Sequence, residues 1–240
     1  MLLQAADKLI VYNTLMGLAA AAGVLLLVPF VRYGSTAALP IRRAWAWTFG
    51  ALGGLLTVLG VHTNVAWPLI GSANIIFGEP SLAFGVILLV VAVVIARTPV
   101  PESADAPGES EPISVTEFPE ELAATLRPIS YFGALSGMML ILLGLAGAFL
   151  GEIVFRPPSS EFPTGIVAGT GLEIVYMVAT YTILGLGAMA LPVGLHRRRW
   201  LPHAGALLVI GGLLVLFITM ISFVGHVSLS AGVGPGGIPW

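Results

Sequence analysis

Residues 9–31 read LIVYNTLMGLAAAAGVLLLVPFV and carry no Asp, Glu, Lys or Arg. A helix rises about 1.5 Å per residue, so a run of this length crosses the roughly 30 Å hydrocarbon core of a bilayer. Lys8 is the one basic residue before it. The run is longer than the apolar region of a cleaved signal, so it reads as a retained first span. Five further runs follow, at roughly 44–62, 80–96, 129–150, 172–195 and 203–227. Within lipid a backbone must satisfy its own polar groups, and uninterrupted apolar runs do so as helices. The expected fold class is therefore all-α: a polytopic integral membrane bundle of six transmembrane helices.

Composition agrees. Of 240 residues, 57% are hydrophobic and 9% are charged, against about 25% charged in a soluble domain. The principal partner is the lipid bilayer, in a multi-pass protein expected in the cell membrane. A membrane-protein partner or a second copy of the chain would pack on the same apolar faces. Net charge is −2, which gives no electrostatic footprint for nucleic acid. The chain has no cysteine, which excludes disulfides, thiolate metal sites and iron–sulfur clusters. It carries no phosphate-cradling glycine loop, serine nucleophile elbow or voltage-sensor charge ladder.

The chain divides into residues 1–97 with spans one to three, an acidic cytoplasmic linker at 98–127, and residues 128–240 with spans four to six and a short outer tail, together one membrane domain. The linker's first half, broken by Pro99, Pro101, Pro107 and Pro112, has the composition of a disordered segment. Its second half, VTEFPEELAATL (115–126), suits a short amphipathic helix capped by Thr116, with Leu122 and Leu126 on one face. Eight of the ten basic residues (Arg32, Arg42, Arg43, Arg97, Arg127, Arg197, Arg198 and Arg199) follow spans one, three and five or precede the next span. By the positive-inside rule those loops are cytoplasmic and both termini lie outside.

FGALGGLL at 49–56 and FGALSGMM at 132–139 suggest that spans 2–3 and 4–5 are a parallel repeat of helix hairpins. Gly50, Gly54 and Val58 share one face of span two, and Ser130, Gly133 and Gly137 share one face of span four. Small residues let membrane helices approach closely, so both faces are expected to pack.

In that topology five ionisable residues fall at the outer end: His62, Glu79, Glu152, Glu173 and His226, with Asn13 nearby. Glu173, Tyr176 and Thr180 repeat at i, i+3, i+7, as do Thr219, Ser222 and His226. Each set forms a polar stripe, which lipid disfavours and which should face inward. Two imidazoles and three carboxylates are donors for a divalent metal ion, the one cofactor the residues suggest, or for a proton relay. The set contains no HExxH-type motif and comes from several spans. Separate structural roles, such as Glu79 at a helix start before Pro80, are the competing reading.

Asn74 to Gly85, NIIFGEPSLAFG, with the preceding His62 and Trp67-Pro68, resembles a family of archaeal and bacterial multi-pass membrane proteins classified as a domain of unknown function. The resemblance implies a multi-pass membrane protein over most of the six spans and carries no activity or site residues. Three functions stay open on the sequence: an accessory subunit or a small-solute or metal-binding module with an outward His/Glu pocket, a membrane metalloenzyme using that cluster, or a small transporter.

Overall fold

In the computed structural model, residues 14–69, 72–99, 113–150, 159 and 162–230 are described. Six of its helices are long and apolar enough to cross a membrane. They are α1 (Leu15–Pro29, continued by a π turn at Phe30–Gly34), α2 (Leu39–Ala66), α3 (Ala73–Arg97), α4 (Glu120–Leu150), α5 (Leu172–His196) and α6 (Leu201–Ser230). The chain is an all-helical, multi-pass membrane protein. Large apolar side chains point outward along the spans, among them Val58, Val65, Leu135 and Phe149. In water such a surface would aggregate, and in lipid it is the expected exterior.

Sequential helices are neighbours, and α6 returns to α1, so the six close into a ring. Helix α1 also touches α3, which pushes α2 to the outside of the ring. The dense core lies here: Met16 and Phe30 of α1 pack with Phe49 and Leu56 of α2 and Leu88 and Ile95 of α3. Phe30 meets Phe49 edge-on at 5.7 Å between centroids.

Glycine permits the closest crossings. A Cβ on Gly53 would stand 2.8 Å from Gly85 O, and one on Gly137 2.5 Å from Gly185 O. The packing face of α2 is therefore Phe49, Gly53, Leu56, Gly60 and Thr63, all buried. It is not the face of Gly50, Gly54 and Val58 expected from the sequence. Gly54 has open space beside it, and Val58 is 67% exposed.

The turn between α2 and α3 is shorter than the sequence suggests. Trp67 ends α2 in the left-handed region, at φ 50° and ψ 50°, a conformation that usually falls to glycine at this position. Asn74, wholly buried, then clamps the turn. Its side chain accepts from Leu69 N and donates to Leu69 O, both at 2.8 Å. Helix α3 begins at Ala73 and runs through Pro80, so most of the stretch after Trp67 is the first two turns of a span. Proline has no N–H to give to the carbonyl four residues back. That carbonyl, Ile76 O, accepts instead from Tyr181 Oη of α5 at 3.4 Å.

At the arginine-rich end the expected amphipathic helix exists but does not stand alone. It is the start of α4, which continues through Pro128 into the span. Ser114, not Thr116, supplies the cap of the preceding 3-10 turn (Val115–Glu117), in a reciprocal pair with Glu117. The first half of the linker and the glycine-rich tail lie outside the described residues. Several arginines that mark this end also cap helices. Arg42, 2% exposed, donates to Pro99 O at 2.9 Å and Ile95 O at 3.4 Å beyond and at the end of α3. Arg198 donates to Leu195 O near the end of α5 at 3.0 Å.

Candidate functional site: an apolar cavity inside the helix ring

The ring surrounds a partly open cavity of about 1150 Å³ walled by α1, α3, α4, α5 and α6, with no described residue of α2 in its wall. Pockets for drug-sized molecules run to roughly 300–1,000 Å³, so this one is large. It is also long. Its wall follows α1 from Thr14 to Val31, a rise of about 25 Å at 1.5 Å per residue, which is most of the hydrocarbon thickness. Along that length the side chains are mostly aliphatic and aromatic, including Val24, Phe84, Leu88, Leu140, Leu184 and Val209, and the hydroxyls of Ser130 and Ser136 are turned to the carbonyls of Arg127 and Phe132. Gly133 helps to make this space. It is buried and lines the cavity, yet a Cβ placed on it would meet nothing within 4 Å. The expectation that Gly133 packs against a helix is thus corrected; Gly137, one turn on, does pack.

The two ends differ. At the arginine-rich end the wall includes Val115, Phe118, Leu195 and Leu201. Phe118 is buried, and the Arg198 guanidinium stands 5.7 Å from its ring centroid. Glu120 pairs with Arg198 at 2.7 Å and with Arg127, which ties the start of α4 to the turn after α5. At the other end the wall includes Thr14, Thr164, Glu173 and His226. Both polar stripes read from the sequence line the cavity: Glu173, Tyr176 and Thr180 from α5, and Thr219, Ser222 and His226 from α6.

Much of this polarity is already satisfied. Tyr176 Oη donates to Leu214 O at 2.6 Å, and Thr180 Oγ1 to Tyr176 O at 2.8 Å. Glu173 is 8% exposed and accepts from Gly169 N at 3.1 Å; Thr170 Oγ1, whose proton goes to Val167 O at 2.7 Å, stands 3.4 Å away. The hydroxyls of Thr14 and Thr164 are buried without a hydrogen-bond partner among the described residues. A buried, unpaired hydroxyl is costly and calls for a partner.

Of the five ionisable residues expected to meet, the four that are described do not all line one place. Glu173 and His226 line the cavity, while His62 and Glu79 are exposed and are not among its lining residues. Glu152 and Asn13 lie outside the described residues. Among the described residues no three His, Asp or Glu side chains gather as metal ligands. Nothing in the sequence pattern singles out Thr164 or Phe118 as cavity residues. The first lies in a loop with no periodicity to place it. The second follows a proline-rich acidic stretch that reads as solvated.

Fold and cavity together define a class: a six-span helical membrane protein built around a long apolar chamber with one polar end. Residues 7–229 match the family described as protein of unknown function (DUF981), and the chain belongs to that family. No curated protein and no solved structure matches it.

Proposed function

We propose that this protein is a non-enzymatic binding module that holds a long-chain lipophilic molecule within the bilayer, with the molecule's polar head at the Glu173–His226 end. That end faces outward, by the arginine count of the opposite loops. The observation that carries the reading is the shape and lining of the cavity: large, nearly as long as the hydrocarbon core is thick, and mostly apolar, with Glu173 and His226 at one end. A compact polar solute would leave that wall unsatisfied, and a flexible chain would fill it. The burial of Phe118 at the other end favours a holding site over a conduit.

The test uses Gly133, where a side chain would enter the cavity without striking a neighbour. Protein purified in mild detergent should carry a long-chain lipid in near-stoichiometric amount, read by mass spectrometry after extraction. Gly133→Leu should lose most of that lipid while keeping its helix content and its thermal midpoint. A lipid-free wild type, or full retention in Gly133→Leu, would refute the proposal.

A further inference from the structure

The cavity's polar end specifies what kind of head it takes. We infer that the bound molecule carries a cationic amine head, and that anionic phosphate heads are disfavoured; this rests on the long-chain reading above. Three observations carry it. Glu173 places a carboxylate at the cavity wall, more than nine-tenths buried, and the groups it meets are neutral: Gly169 N donates to it at 3.1 Å, and the Thr170 hydroxyl, which donates to Val167 O at 2.7 Å, stands 3.4 Å away. An ionised carboxylate has about four acceptor sites, so capacity remains. No Lys or Arg lines the cavity among the described residues. Thr164, 9% exposed, lines the same end with its Oγ1 unpartnered.

A charge in apolar surroundings is costly unless it is paired and hydrogen-bonded. An ammonium head meets both needs, because it donates to Glu173 and to the Thr164 hydroxyl and neutralises the carboxylate. A phosphate brings like charge to the same place. The N-terminus of α5 favours an anion, but Glu173 in its first turn already occupies that position. His226, which also lines this end, is removed as a complication by working near pH 8. An ordinary imidazole is neutral there and a primary amine is still protonated.

The experiment compares octadecylamine, octadecanol and octadecyl phosphate on the full chain in a neutral maltoside detergent at that pH. Retention of each through gel filtration is quantified by mass spectrometry. The wild type should retain the amine at least about tenfold better than the phosphate, with the alcohol between them. In Glu173→Gln, whose amide oxygen still accepts from Gly169, the amine-to-phosphate ratio should fall to within about twofold, with the alcohol unchanged. Thr164→Val, a near-isosteric change, should weaken amine retention a few-fold without changing the thermal midpoint. Equal retention of all three by the wild type, or the same ratio in Glu173→Gln, overturns the amine assignment and leaves the cavity reading standing. Retention of none overturns the cavity reading and the assignment with it.

Discussion

At the scale of single residues, the fold depends on polar groups that answer a backbone need elsewhere. Pro80 leaves Ile76 O without its helical donor, and Tyr181 reaches across from α5 to supply one. A membrane helix tolerates proline when a neighbouring helix meets the freed carbonyl. Tyr181→Phe should therefore cost about 0.5–1.5 kcal/mol in detergent unfolding. In a Pro80→Ala background, where the new N–H serves Ile76, the same change should cost close to nothing. An equal cost in both backgrounds would break the account, and a double-mutant cycle reads the difference directly. The sequence shows Pro80 and Tyr181, but not their relation, since 105 positions separate the tyrosine from its acceptor. Asn74 is a similar case. It stands in the stretch that carries the family resemblance, yet its bonds to Leu69 depend on a turn that no residue pattern fixes.

Among elements, two hairpins, α2–α3 and α4–α5, each cross at a glycine pair. Gly137→Leu should strike the Gly185 carbonyl and the Ala188 side chain and lower unfolding stability by about 2 kcal/mol or more, as overpacking does. Gly54→Leu, with nothing within 4 Å of its Cβ, should stay within about 0.5 kcal/mol of wild type. Reversed-order stabilities in a detergent titration would show that the crossings are elsewhere. The matching strings FGALGGLL and FGALSGMM point to these hairpins without matching their environments. Phe49 is fully buried and Phe132 is 42% exposed, and the strings align Gly137 with Gly54 while Gly53 makes the crossing. Period alone does not say which face of a glycine-rich apolar helix packs, because both faces are apolar. The segment closing the arginine-rich end invites a second comparison. Its ion pairs use Glu120, whose side chain is 69% exposed, and exposed pairs contribute roughly 0–1 kcal/mol. Phe118 is 4% exposed against the core, and loss of a buried ring costs about 3 kcal/mol or more. Glu120→Gln should therefore unfold within about 1 kcal/mol of wild type. Phe118→Ala should fall well below it in the same unfolding measurement.

For the whole molecule, hydropathy was enough to find six spans, because lipid imposes one rule on every crossing segment. Helix ends were harder to place. Helix α4 begins at Glu120, about two turns before its apolar run, and α3 begins at Ala73 ahead of Pro80. Polar caps and anchored first turns extend past the lipid boundary that hydropathy detects. The inward polar stripes were legible from i, i+3, i+7 spacing. The cavity they line was not, because its volume depends on how far apart α1, α4 and α6 stand, and small and large apolar residues read alike in a span. Shared topology is also too coarse to gather ionisable side chains: among the described residues, His62 and Glu79 are exposed while Glu173 and His226 line the cavity. The direction expected from the arginines bears on the amine inference, because Glu173 meets an external head only if its end is outside. The loops at the other end hold eight of the ten basic residues, a bias that sets orientation through charges close to span ends. The cysteine-free sequence makes this directly measurable, since any introduced thiol is unique. Ser159→Cys, in the loop between α4 and α5, should react with a membrane-impermeant maleimide on intact cells. Thr116→Cys should react only once the membrane is opened. The opposite pattern would invert the protein and place its polar chamber mouth in the cytoplasm.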